Sequence, residues 1–257
     1  VNETRRLAAE SLRLKVAPTS AGARLRTGEL LHDLGRAQDA WVELTRAADL
    51  AAEVGDDAAA RRAQFALGTA LATLGWPTDT EGVRQFQRAY HFIRDAYLTV
   101  DGIIGPKTTA AIANSLARHK AGKGDISANF SAREFACRCG GKLPGCRRVK
   151  LTWELLHGLE RLRAAMDTKQ GSGFAGLSIV SGYRCEAYNA SIPGSASRSQ
   201  HMSGTAADVP GVLTLAEIES LRWFRGIGYG AQGGKVTHVD VRPGSGSSPA
   251  TWSYAGW

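Results

Sequence analysis

The sequence predicts an α+β protein, in which a helical N-terminal part precedes a C-terminal part that combines helix with short strands. Residues up to about Gly75 are rich in Ala, Leu, Arg and Glu, with apolar residues such as Leu30, Leu31 and Leu34 at helical spacing. After Phe130 the pattern changes. WELLHGLERLRAAM predicts an amphipathic helix, whereas LSIVSGYR and KVTHVDVRP predict strands. Short strands and Gly-rich loops beside a helix favour an α+β domain with a small antiparallel sheet.

Composition excludes several classes of protein. The 257 residues are 43% hydrophobic and 22% charged, which is ordinary for a folded chain and excludes wholesale disorder and a coiled-coil rod. No stretch approaches the ~18–20 apolar residues that span a bilayer, so membrane insertion is not expected. The net charge of +8 suits an anionic partner, which could be nucleic acid, a membrane surface or cell wall. No nucleic-acid-binding motif accompanies this charge, so we expect no nucleic-acid partner.

The N-terminal part is predicted to be a plain helical bundle. Two stretches, LLHDLGRAQ and ALATLGWPT, resemble each other loosely about forty residues apart. A tetratricopeptide-like hairpin repeat is therefore an alternative, although one pair of turns favours it only weakly.

A second helical pattern begins near Thr80. EGVRQFQRAY predicts a helix, and Pro106 begins the next one after turns at Asp101-Gly102 and Gly105-Pro106. This segment resembles the peptidoglycan-binding module, a three-helix domain common in wall hydrolases, which implies a wall-binding role. The residues that match its pattern are Val83, Phe86, Gln87, Asp101, Gly102, Gly105, Pro106 and Thr108.

Four cysteines are concentrated in the C-terminal part. They are Cys137, Cys139, Cys146 and Cys185. Two disulfides with three possible pairings, a four-thiolate zinc site and reduced structural cysteines all remain open from the sequence. A second, structural ion on these cysteines is therefore an alternative, but the sequence does not favour it.

Two histidines and an aspartate form the candidate chemical site. His201 begins HMSGTAAD, which ends at Asp208, and His238 lies on the predicted strand THVDV. Two imidazoles and one carboxylate suit Zn²⁺, because three protein ligands leave a fourth position open. The other histidines, His32, His91, His119 and His157, lie in helical segments without partners at ligand spacing.

The surrounding motifs resemble the zinc D-Ala-D-Ala carboxypeptidase family. That family also includes L-alanyl-D-glutamate endolysins, and its fold is shared with the hedgehog signalling domain. The residues that match its S-G-Y-R, S-x-H-x-x-G-x-A-x-D and distal histidine motifs are Ser181, Gly182, Tyr183, Arg184, Ser199, His201, Gly204, Ala206, Asp208 and His238.

The resemblance implies roles for particular residues. His201, Asp208 and His238 would bind one catalytic zinc. Arg184 would bind a substrate carboxylate or a developing oxyanion. Ser199 and Gln200 would bind substrate beside it.

The general base is where the sequence departs from the family. Many relatives carry an acid three residues before the second histidine, where this chain has Lys235. Asp240 is expected to point to the same face of a strand as His238 and to act as the catalytic base; orienting that histidine is the alternative role. Glu186 is the alternative base.

These patterns predict four parts. They are a helical region of unknown role (1–75), a peptidoglycan-binding module (76–118, with an alternative start near 60), a linker (119–126) and a zinc peptidase domain (127–257).

The predicted function is endopeptidase cleavage of a peptidoglycan amide by a monomeric, endolysin-type enzyme acting on the bacterial wall. VNETRRLAAE carries charges and no apolar run, so no signal peptide is visible. This favours phage-type release, unless the chain is a mature secreted form. The alternatives are an envelope D-Ala-D-Ala carboxypeptidase and a non-catalytic wall-binding protein with a structural zinc.

Overall fold

The chain folds into two compact units. The structure is a computed structural model, and it describes residues 2–17, 19–33, 70–92, 98–170, 176–230, 235–244 and 248–254, together with seven positions between 43 and 53. One unit comprises Val1–Gln87 and Leu98–Asp125, and the other comprises Arg88–Tyr97 and Ile126–Trp257. These units are defined by contacts alone, so the four-part organisation stays a prediction.

The first unit contains four helices among the described elements. They are α1 (Asn2–Val16), α2 (Ala21–Asp33), α3 (Thr80–Ala89) and α4 (Pro106–Lys120). Leu7, Leu30 and Leu31 form a buried cluster of α1 and α2. Most of segment 34–69 lies outside the described residues, including Leu34 and much of the stretch that suggested a repeat, so the repeat also stays a prediction.

The turn before α4 is organised around one buried glutamine. Nε2 of Gln87 lies 2.9 Å from Asp101 Oδ1 and 3.1 Å from Thr108 Oγ1, and its Oε1 accepts a hydrogen bond of 2.9 Å from the Gly102 amide. Gly102 has a φ of +79°, a conformation that favours glycine. Residues that the sequence pattern selected are thus held together by hydrogen bonds.

The second unit is built on a long helix, α5 (Trp153–Gln170). The predicted amphipathic face is confirmed, because Leu155, Leu159, Leu162 and Met166 are all buried. Shorter elements surround it. They are 3₁₀ turns at Ala132–Phe135 and Gln200–Ser203, and the helices α6 (Glu186–Ala190) and α7 (Leu215–Ser220).

A four-stranded sheet completes the second unit among the described residues. The strands are β1 (Ala206–Asp208), β2 (Gly226–Gly230), β3 (Val236–Asp240) and β4 (Ala250–Tyr254), in the order β1-β3-β2-β4. The α+β class is therefore confirmed.

Two details of the predicted sheet are wrong. β4 pairs with β2 in parallel, so the sheet is mixed and not antiparallel. LSIVSGYR does not form a strand of its own, because its pairing is limited to an isolated bridge between Ser181 and Asp208. The apolar run that suggested a strand instead leads into the turn that carries Gly182 and Arg184.

Within the part of the chain that the structure describes, no helix combines the length and hydropathy needed to cross a membrane.

Candidate metal centre

Three predicted ligands converge on one point in the second unit. His201 Nε2 lies 3.1 Å from Asp208 Oδ1 and 3.2 Å from His238 Nδ1, and the last two atoms are 2.9 Å apart. Ligands about 2.0–2.1 Å from a tetrahedral ion lie about 3.3 Å from one another. The observed triangle is therefore close to the size that zinc requires.

The 3₁₀ turn 200–203 places His201. Its imidazole is buried, and Nδ1 lies 2.6 Å from the carbonyl oxygen of Gly182. A carbonyl only accepts, so Nδ1 carries the proton and Nε2 presents a lone pair to the centre. The turn ends at Gly204, whose φ of +71° and close approach to the backbone of Lys150 leave no room for a side chain.

The sheet places the other two ligands in one row across adjacent strands. Asp208 pairs with His238, and His238 pairs with Gly228, which pairs in turn with Trp252 on β4. Because paired residues share a face of a sheet, the ring of Trp252 reaches across Gly228 to His238, with the ring centroids 5.2 Å apart.

Two glycines leave the face of β2 beside His238 without side chains. Gly226 and Gly228 are two residues apart on one strand, so they lie on the same face. A Cβ at Gly228 would lie 2.9 Å from Trp252 Nε1, and a Cβ at Gly226 would overlap the carboxylate of Asp240. The alternating glycines of GIGYG thus leave the space that the supporting side chains occupy.

Asp240 supports His238 from the side away from the other ligands. Its Oδ2 lies 3.2 Å from His238 Nε2, and Arg242 donates from Nε to Oδ1 (2.8 Å) and from Nη2 to Oδ2 (2.6 Å). The side chain has no exposed surface. Of the two roles expected from the sequence, this geometry favours orienting the imidazole over acting as the base.

The charges of the site depend on one another. Burial raises the pKa of Asp208, but hydrogen bonds to His201 and His238 outweigh it and hold this pKa far below its ordinary value. Burial lowers the pKa of His238, but Asp208 and Asp240 more than offset this, so the pKa is raised. Two imidazole nitrogens that face a carboxylate at about 3 Å call for a cation, which is either a proton or a metal ion.

The donor set of this centre fits zinc, because two imidazole nitrogens and one carboxylate are ligands that zinc prefers. His201, Asp208 and His238 together form a group that could hold an ion. The outer nitrogen of each imidazole is held by a hydrogen-bond acceptor, the arrangement that fixes the tautomer of metal-bound histidines.

Arg184 lies beside these ligands. Its Nε donates to Ser181 Oγ (3.0 Å), and its guanidinium forms an ion pair with Asp208 Oδ2. Gln200 is instead engaged in its own turn, where its Oε1 accepts a hydrogen bond of 3.0 Å from Thr205 Oγ1. Ser199 is partly buried at the start of the same turn.

Lys235, which stands where many relatives carry an acid, directly precedes β3 and faces away from the metal ligands. Lys235 is exposed, and its Cβ and the Thr237 side chain both face Gly211, whereas His238 faces the metal ligands. This chain therefore has no carboxylate at the position where many relatives carry their acid. Glu186, the alternative base, is exposed on the first turn of α6.

Outside the candidate centre, the fold brings together cysteines and histidines that lie far apart in the sequence. The four cysteines are free and cluster in one place. His91 Nε2 lies 3.3 Å from His157 Nδ1, and His119 Nδ1 lies 2.9 Å from the buried carboxylate of Asp125. These histidines have partners that local spacing could not reveal.

A comparison with known families finds a match for the segment that carries the candidate centre. Residues 128–240 match the model of the peptidase M15 family. M15 peptidases are zinc-dependent metallopeptidases, so the match implies a metallopeptidase. The M15 match covers a little under half of the chain and ends at Asp240. No curated protein and no solved structure matches the chain significantly.

Sequence reasoning missed several supporting groups of the M15 segment and of the residues that follow it. Trp252, Arg242 and the Gly182 carbonyl were not among the predicted site residues. One signal was present for the glycines, because Gly226, Gly228 and Gly230 alternate in the sequence GIGYG, which forms β2.

Replacement of His201 by Ala should remove the zinc bound at this centre. The variant keeps two of three ligands and loses the one that Gly182 orients. We expect the zinc content to fall by one ion per chain, measured by elemental analysis after gel filtration, with loss of peptide hydrolysis. His119→Ala, a histidine outside the centre, is the control and should keep its zinc. An unchanged zinc content in His201→Ala would exclude this ligand set.

Replacement of Gly226 by Ala should weaken the centre without changing a ligand. The new methyl group would displace Asp240, so His238 would lose its orienting partner. Loss of such a partner typically costs about 10–100-fold in metal affinity. Competition with a chromophoric chelator measures this, and Gly244→Ala, where a Cβ meets nothing within 4 Å, is the matched control. Equal affinities for both variants would contradict a supporting role for Asp240.

Proposed function

We propose that this protein is a zinc-dependent peptidase that cleaves an amide of peptidoglycan. The proposal is supported chiefly by the triangle of His201, Asp208 and His238 with Arg184 directly beside it, within a segment that matches the M15 family. When bound, zinc supplies Lewis acidity, which brings the pKa of a coordinated water near 7 and polarises a carbonyl.

Arg184 is the proposed substrate-binding cation. Its ion pair with Asp208 and its hydrogen bond to Ser181 fix the guanidinium next to the ligands, while 16% of the side chain stays exposed. A fixed guanidinium binds a carboxylate or a developing oxyanion without having to be ordered during the reaction. Stem peptides of the wall carry carboxylates that suit it.

Asp240 is proposed to position His238 and not to remove a proton from the attacking water. Both of its oxygens are occupied by Arg242 and His238, and it is fully buried. Glu186 is the proposed proton acceptor, because it is an exposed acid on the turn of helix that directly follows Arg184 and Cys185.

The proposed reaction is endopeptidase cleavage of endolysin type, by a monomer acting on the bacterial wall. A net charge of +8 would favour retention on an anionic wall. The lack of an acid at position 235 supports one alternative, a non-catalytic wall-binding protein with a structural zinc. A D-Ala-D-Ala carboxypeptidase would use the same centre.

Mass spectrometry of digested peptidoglycan tests this function. Full-length protein should release fragments with a new internal amine, and a chelator should abolish them. The variant Arg184→Ala should lower turnover strongly, whereas Arg133→Ala, an exposed arginine on the 3₁₀ turn 132–135, should leave it unchanged. Loss of a terminal alanine would identify a carboxypeptidase instead. No product with or without added zinc would support the binding protein.

We also propose that the first unit retains the enzyme on the wall. The support is the turn of Asp101, Gly102 and Thr108, which Gln87 holds in the arrangement that the sequence pattern selects. This rests on the resemblance to peptidoglycan-binding modules and on the basic charge.

Replacement of Gln87 by Ala should separate retention from catalysis. Removing the buried amide takes away its bonds to Asp101 and Gly102 and leaves Asp101 with the Ile103 amide, so the turn should lose its shape. We expect activity on whole walls to fall severalfold, while activity on soluble muropeptides stays near that of the wild type. Gln85→Ala is the matched control, because Gln85 donates to Glu81 within α3 at 2.8 Å and, among the described residues, makes no hydrogen bond to the turn. Equal losses on both substrates would reject the retention role.

A further inference from the structure

The four cysteines of the second unit form a cluster outside the candidate metal centre. The Sγ atom of Cys139 lies 3.4 Å from that of Cys137, 3.2 Å from that of Cys146 and 3.8 Å from that of Cys185. All four sulfur atoms lie within 4.8 Å of one another. Three similar distances from one sulfur, with every pair within 4.8 Å, are compatible with four sulfur atoms around a single ion.

These distances match a metal site better than disulfides. A disulfide requires about 2.05 Å between sulfur atoms, and the four cysteines are free. Four thiolates about 2.3 Å from a tetrahedral zinc ion lie about 3.8 Å from one another. The observed contacts of 3.2–3.8 Å leave room for an ion at the centre but form no two bonded pairs.

The loop between the first three cysteines is shaped to present them. Gly140 donates its amide to the Cys137 carbonyl at 2.9 Å, and Lys142 donates to the Cys139 carbonyl at 3.1 Å. Gly140 and Gly141 have φ values of +65° and +83°, which favour glycine. The tight turn therefore brings Cys137 and Cys139 to one side although a single residue separates them.

Backbone amides also point at the sulfur atoms. The Cys185 amide lies 3.4 Å from Cys137 Sγ, and the Tyr188 amide lies 3.4 Å from Cys185 Sγ at the start of α6. Cys137 and Cys185 are buried at 2% exposure each. Amide donors and nearby basic residues such as Arg138 and Lys142 offset the negative charge that four thiolates would carry.

We propose that Cys137, Cys139, Cys146 and Cys185 bind a second zinc ion that is structural. Four protein ligands leave no open position, in contrast to the three-ligand centre. The site ties loop 137–146 to Cys185, which lies far away in sequence and directly follows Arg184. The segment 182–185 also supplies the carbonyl that orients His201, so the second ion fastens the segment on which the peptidase centre depends.

Zinc counting on full-length protein tests the proposal. Native mass spectrometry with elemental analysis should find two zinc ions per chain in the wild type and one in His201→Ala. Cys146→Ser, which alters a partly exposed ligand, should lose one ion and unfold at a lower temperature. The double variant should bind none, and His119→Ala should keep both.

A second measurement avoids dependence on the folding of a cysteine variant. Cobalt loaded into His201→Ala should give an intense thiolate-to-cobalt charge-transfer band, because only the cysteine site remains. Alkylation after denaturation should label all four cysteines without prior reduction. Resistance to alkylation, a cobalt spectrum without thiolate bands, or iron in place of zinc would each overturn the proposal. The zinc count in His201→Ala does not involve hydrolysis, so failure of the proposed function would be seen separately.

Discussion

The candidate metal centre depends on a face of the sheet on which β2 has glycines and therefore no side chains. β2 lies between β3 and β4 and presents Gly226 and Gly228 toward the site. Because these positions carry no Cβ, Asp240 can lie against β2 and Trp252 can reach His238 across it. The imidazole is then held by a hydrogen bond on one edge and by contact with an aromatic ring tilted by 54° to it. A strand with ordinary side chains here would leave His238 without either support.

The hydrogen bonds around the ligands form a chain of alternating charge. Arg242 neutralises Asp240, Asp240 orients His238, and Asp208 faces both imidazoles while pairing with Arg184. Each carboxylate keeps its charge because a cation or donor opposes it, which is why burial does not protonate either one. The same chain connects Arg184, the proposed substrate-binding residue, to the candidate metal ligands, so the position and the charge of its guanidinium are fixed together.

The cysteine cluster and the metal centre share a short piece of backbone. Gly182 and Cys185 are three residues apart, and between them Arg184 reaches Asp208. Segment 182–185 therefore contributes to both places, although only its neighbour Ser181 forms a bridge to the sheet. Because the segment lacks the ladder of a full strand, it is held by separate backbone hydrogen bonds, from Tyr183 to Phe135 and from Arg184 to His201, and by the side-chain contacts of Arg184.

The amino-acid sequence alone predicts the α+β class, a helix in WELLHGLERLRAAM, a strand in KVTHVDVRP and the three residues that meet at the centre. The structure forms this helix over Trp153–Gln170 and this strand over Val236–Asp240. These predictions rest on local periodicity and on motifs of fixed spacing. Three features become visible only in the folded chain: the parallel pairing of β4, the position of Asp240 behind His238 and the contact of Cys185 with the distant cysteine loop. Such features join residues far apart in the chain. Local spacing carries no information about which partner across the fold will fill the space that a glycine leaves.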